Sequence, residues 1–193
     1  MFLRSSILAA GLAAGAAAAQ TTGQPAQGQA QQPAAQSAPA PPCATPEYRQ
    51  LDFWVGDWVA TWTNPNGSQG TGRNRITRDE YGPCVITERF SADDGSLRGF
   101  SISTYFAGAR EWRQTWMDDR GGYFDLFGGP SIEPGRRFVL ETYRRNPNAR
   151  HARMVFEDVQ PDSFTWRWQG RPNPDAPWAD MWVIRYTRAR PAS

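Results

Sequence analysis

"LDFWVGDWVATWTNPNG" (residues 51–67) spaces three tryptophans four residues apart: Trp54, Trp58 and Trp62. Four residues is about one turn of a helix, and it is also an even step along a strand, so the spacing alone fits one face of either element. The flanking residues separate the two. "PEYRQLDFW" (46–54) begins with a proline suited to a first helical turn, followed by Glu47, so the sequence predicts a short helix ending near Trp54. Gly56 interrupts it. "DWVATWT" then alternates large and small side chains, and "NPNG" is a turn signal. Trp58 and Trp62 therefore share one face of a strand, with Ala60 between them.

The strand-and-turn pattern repeats to the end of the chain. "GRNRITRDE", "CVITERFS", "RGFSISTYF", "EWRQTWMDD", "YFDLFGG", "RRFVLETYRR", "ARMVFEDVQ", "FTWRWQG" and "WADMWVIRYTR" follow, separated by short runs rich in Gly, Pro, Asn and Asp. That makes about ten short strands and no helical period of useful length after residue 55. Strands joined by short turns pair antiparallel, and ten of them must close or stack to remove their edges. The expectation is an all-β, up-and-down antiparallel barrel of about ten strands, preceded by a short helix. A two-sheet sandwich is the alternative.

Upstream lies a different kind of sequence. Residues 1–19 carry one charge, Arg4, then an Ala/Leu/Gly run ending in small residues, the pattern of a secretory signal peptide. The run is too short and alanine-rich for a membrane span. Residues 20–42 contain no charge, no aromatic and no Leu, Ile or Val, which predicts a disordered linker. The barrel domain is assigned to 43–193. Its two cysteines, Cys43 and Cys84, suggest one disulfide in an oxidising, periplasmic or extracellular compartment, two free thiols being the alternative.

All 21 basic residues are arginine, and they alternate with acids and aromatics. Without Arg4 the balance is nearly neutral, which argues against a nucleic-acid binder. With His151 as the only histidine, a multi-histidine metal site is excluded. No serine sits in a nucleophile-elbow pattern. No cofactor is expected from the residues.

Two resemblances carry the fold further. "GDW" (56–58) after a short helix resembles the Gly-x-Trp signature of the lipocalin/calycin superfamily, in which the Trp packs at the closed barrel end against an Arg of the last strand. That implies structural roles for Gly56, Trp58 and Arg188, with Arg185 the alternative arginine. "LDFWVGDW" together with "GFSISTYFAGAREWRQTWMDDRGG" (99–122) resembles an uncharacterised family of secreted bacterial calycin-like proteins. Gly99, Ser101, Tyr105, Trp112, Gln114, Trp116 and Asp118 match its pattern, and Phe106 departs from it where Asp would stand. The family brings no established activity. In the related nitrobindin-type barrels a single axial histidine holds haem; His151 is the one residue here that such a ligand would need, and its place beside a turn, among arginines, speaks against it.

Strand parity nominates the lumen. Trp112, Gln114, Trp116 and Asp118 share one face; Cys84, Ile86, Glu88 and Phe90 share another; Phe164, Trp166 and Trp168 a third. In the last strand Trp178, Asp180, Trp182, Ile184, Tyr186 and Arg188 fall together. If aromatic faces point inward, Glu88, Gln114 and Asp118 come with them, and Ser101, Ser103 and Tyr105 join from the neighbouring strand. The expected ligand site is Glu88, Ser101, Ser103, Tyr105, Gln114, Trp116, Asp118, Trp166 and Trp182, for a small apolar or aromatic molecule. Two rivals stay open: a lumen carboxylate doing acid/base chemistry on such a molecule, and a packed structural module whose polar groups satisfy one another.

Overall fold

The computed structural model describes residues 41–78, 80–143 and 151–190, all within one compact unit spanning Pro39–Ser193. The expected signal peptide (1–19), nearly all of the expected linker (20–42) and the turn expected at "NPN" (146–148) lie outside the described residues.

Ten strands form one closed antiparallel barrel: β1 (Gly56–Thr63), β2 (Gln69–Thr77), β3 (Val85–Ala92), β4 (Arg98–Phe106), β5 (Glu111–Asp118), β6 (Tyr123–Pro130), β7 (Arg136–Thr142), β8 (His151–Gln160), β9 (Ser163–Arg171) and β10 (Ala179–Arg188). Each strand pairs with its sequence neighbours, and β1 pairs with β10 to close the circle, so no edge remains exposed. The segment ahead of β1 is two short 3₁₀ turns, Pro46–Arg49 and Asp52–Trp54, rather than one continuous helix. Trp54 ends the second turn, while Trp58, Ala60 and Trp62 are buried on the inner face of β1.

The two ends of the barrel differ. At the end where β1 begins, Leu51, Trp54, Trp58, Trp112, Phe138, Phe156 and Phe164 are almost fully buried. Their rings meet edge to face, as with Trp58 and Phe164 at 4.8 Å, a contact contributing about 0.5–1.5 kcal/mol beyond its buried area. Buried indole N–H groups need acceptors: Trp58 donates to the Trp54 carbonyl at 2.8 Å, and Trp112 to Gln50 Oε1 at 3.0 Å. The 3₁₀ turns thus plug this end, and the Cys43–Cys84 disulfide ties them to the start of β3. Arg188 completes the plug. Its guanidinium lies 4.2 Å from the centre of the Trp58 ring and donates to the carbonyls of Val55 and Pro161. Gly56 sits under that guanidinium, in a positive-φ conformation where a side chain would collide with Arg188 Nη1. Arg185, of opposite parity, points outward to Thr165.

The outer face carries ion pairs, such as the two-pronged Arg89–Glu80 pair at 2.7 Å and Arg167 between Glu157 and Asp180. Among the described residues no helix is long and apolar enough to cross a membrane.

One parity expectation fails. The register of β10 against β9 shifts between Asp180 and Trp182, so Asp180 lies outside with Gln169 and Arg167 while Trp182, Ile184 and Tyr186 face inward. A bulge adds one residue and reverses the alternation upstream of it. Trp178, before the bulge, lies 4.2 Å from both the Arg153 and Arg171 guanidiniums.

Candidate functional site

Where the closed end is filled by touching rings, the half of the barrel where β1 ends encloses a cavity of about 220 Å³. Its walls are Trp116, Trp166, Trp168 and Trp182 with Phe90 and Phe124. Its deeper surface is Glu88, Gln114 and Tyr186 among Leu126, Met154 and Ile184.

The walls are held by their surroundings. Trp116 of β5 lies across β4 at Gly99, where an added Cβ would come within 2.1 Å of the indole; only glycine leaves that seat open. Trp62 lies across Gly70 in the same way. Trp182 is met edge-on by Trp62, Phe90 and Trp166 at 5.3, 5.7 and 5.9 Å. Trp166 and Trp168 run parallel, and Phe124 packs against Trp168 at 5.0 Å. Rings supported on several sides keep their orientation whether or not the cavity is filled.

Beneath them is a polar floor. Glu88, on β3, stands between Asn74 of β2 and Ser101 of β4. Asn74 Nδ2 donates to Glu88 Oε1 at 2.7 Å and to the Tyr186 hydroxyl at 3.3 Å; Ser101 Oγ donates to Glu88 Oε2 at 2.7 Å. Gln114 Nε2 donates to Ser103 Oγ at 2.9 Å. Burial pushes the Glu88 carboxyl up from 4.5 to about 7, although the bonds from Asn74 and Ser101 pull the other way. Burial, and then the proximity of Glu88, raise the Tyr186 phenol above its ordinary value. Asn74 Oδ1 is buried with no hydrogen-bond partner among the described residues.

Asp118 lines the cavity at its rim, but its oxygens are already engaged. They accept from Trp116 Nε1 at 2.9 Å and from the amides of Gly122 and Arg120 at 2.8 and 3.0 Å. Burial raises its pKa, and these bonds together with Arg120 outweigh that and hold it below the ordinary carboxylate value. Asp118 thus shapes the β5–β6 turn and aims Trp116.

Of the residues nominated by parity, Glu88, Gln114, Trp116, Asp118, Trp166 and Trp182 line the cavity. Ser101 and Ser103 stand behind it and reach it through Glu88 and Gln114. Tyr105 does not join them: it lies toward the plugged end, edge-on to Tyr48 at 5.3 Å and near Trp112. His151 begins β8 and is not among the lining residues. The expected site left out Trp168 and Tyr186, although parity sets both on the aromatic faces, and sequence reasoning missed Asn74 and Phe124 altogether. Asn74 had a readable signal: "GTGRNRI" alternates Gly70, Gly72, Asn74 and Ile76 with exposed Thr and Arg, so an uncharged amide stands on the inner face. Although arginine is the chain's only basic side chain besides one histidine, neither residue type occurs in the lining.

No protein-family model matches the chain, and no curated protein matches it. Among solved structures, one described as "EF1p2_mFAP2b bound to DFHBI" is similar at 14% identity, covering 74% of this chain and 99% of that one, with a TM-score of 0.37. A likeness of that size carries nothing about a site or its ligand.

Proposed function

We propose that the protein is an exported barrel that binds a small, largely apolar or aromatic molecule in its lumen, and that it is a calycin-like protein. The observation that carries the reading is the contrast between the two ends: one half packed solid with rings, the other left with an aromatic-walled cavity over a few convergent polar groups. A purely structural barrel has no need of such a space, since an unfilled cavity forfeits packing energy. At about 220 Å³ the space suits one or two fused rings; a cavity of about 150 Å³ holds benzene. The disulfide is in keeping with an oxidising compartment, which supports export.

The proposal is tested by titrating the protein with 2-(hydroxymethyl)naphthalene, a neutral two-ring probe, and following indole fluorescence. Saturable quenching that weakens in Trp116→Ala supports it. Quenching that stays linear in probe sinks it.

A second reading rests on Glu88. A carboxyl poised near neutrality inside a cavity is what a general acid or base needs. Turnover of a bound molecule, lost in Glu88→Gln and following a single ionisation near pH 7, would favour catalysis over binding.

A further inference from the structure

The charge around the cavity narrows its ligand. The lining contains two acidic residues and no basic one. Asp118 is spent on the indole and two backbone amides, which leaves Glu88 as the acid with capacity to spare. Each Glu88 oxygen accepts one hydrogen bond from a neutral donor, and among the described residues neither is paired with a cation. A carboxylate oxygen can accept about two, so one acceptor position per oxygen stays open. Among the described residues, the groups that bond to Glu88 or share its cavity from the other elements add no positive charge: Asn74 from β2, Ser101 from β4, Gln114 and, at the rim, Asp118 from β5, Leu126 from β6, Met154 from β8, Trp166 from β9 and Tyr186 from β10. Tyr186 and Asp118 are the titratable ones among them, and neither becomes positive. Above stand four indoles, whose faces carry the negative end of the ring quadrupole and attract cations.

Resting on the proposed ligand-binding role of this cavity, we infer that its ligand is a small organic ammonium cation, with the charged nitrogen on the Glu88 carboxylate and the hydrocarbon part between the tryptophans. An anion would meet negative charge with no compensating group. A neutral hydrocarbon would leave the Glu88 acceptors unused. An ammonium group supplies the missing positive charge and N–H donors together.

Proton linkage follows. Free Glu88 is about half protonated at pH 7. A bound cation favours the carboxylate, so binding expels a proton and weakens as the pH falls below 7, by up to about tenfold per pH unit.

The test uses two probes of nearly equal shape, 2-(aminomethyl)naphthalene, cationic at neutral pH, and 2-(hydroxymethyl)naphthalene, titrated calorimetrically into the mature protein. At pH 8 the amine should bind at least about tenfold tighter than the alcohol, and the ratio should fall toward one by pH 5.5. In Glu88→Gln the ratio should be the same at both pH values and well below the wild-type ratio at pH 8. If that variant does not fold, the wild-type protein still decides. Titrations in buffers of different ionisation enthalpy at pH 6.5 should show a fraction of a proton released with the amine and none with the alcohol. If the alcohol binds, but the amine binds no better at pH 8 and releases no proton, the cation inference is overturned while the apolar-binding role stands. If neither probe binds, the binding role falls and the inference with it.

Discussion

Replacing Glu88 by Gln should make the folded protein more stable at pH 8 and remove most of a pH dependence. The carboxyl is buried, and its pKa rises from 4.5 to about 7 on folding. The folded state therefore holds the proton more tightly than the unfolded chain. Below pH 4.5 the group is protonated in both states and exacts no penalty. Between 4.5 and 7 the unfolded chain ionises while the folded one resists, so stability falls as pH rises; above 7 the loss is complete. At about 1.4 kcal/mol per tenfold change in acidity, the full loss is about 3–4 kcal/mol, most of it between pH 5 and pH 8. Glutamine is isosteric and uncharged. Its carbonyl can still accept from Ser101, and its amide can donate to the otherwise unpartnered Asn74 Oδ1 once that side chain turns over. The assay is urea unfolding of both proteins at pH 5 and pH 8. Other carboxyls cancel in the comparison, including Glu80, held low by Arg89, and Asp118. The wild-type protein should lose about 2–3 kcal/mol more than the variant over this range, with unchanged slopes. Parallel losses would refute the burial of an unpaired, ionisable Glu88.

Three further outcomes follow from the packing. Gly99→Ala drives a methyl group into the Trp116 indole and should destabilise by about 1–3 kcal/mol while weakening the naphthalene probes, read by urea melts and fluorescence titration; unchanged affinity would mean that Trp116 is not a wall of the site. Reduction of Cys43–Cys84, which closes a separation of 41 residues, should cost about 4 kcal/mol, read as a lower thermal midpoint in reductant. Arg188→Met removes the guanidinium from Trp58 and its bonds to Val55 and Pro161, and should cost about 1–3 kcal/mol in urea unfolding without altering probe affinity, because the plug and the cavity occupy opposite halves of the barrel.

The barrel was readable in the sequence because every strand is bounded by a turn and most alternate cleanly, so parity alone puts Trp58, Glu88, Gln114, Trp116 and Trp166 on the inner face. Where alternation breaks, the reading broke too: the bulge after Asp180 sends that acid and Trp178 outside, and nothing in "WADMW" announces the extra residue. Position along a strand was the other blind spot. Tyr105 has the right parity but lies at the plugged end, and Asp118 faces the lumen but is consumed by a turn that forms only once β5 and β6 pair. The glycines opposite the indoles have no meaning until cross-strand register is known, since register decides which ring lies over which glycine; parity places Asn74 on the inner face, but its bond to Glu88 needs the register too.

The most direct measurement of the lumen is a two-dimensional nitrogen–proton spectrum in which each of the nine tryptophans gives its own indole signal, recorded during titration with 2-(hydroxymethyl)naphthalene. Saturable shifts at Trp116, Trp166, Trp168 and Trp182, with Trp54, Trp58 and Trp112 of the plug and Trp178 of the outer face unmoved, are the expected result. Shifts confined to Trp178, or none that saturate, would contradict a ligand site inside the barrel.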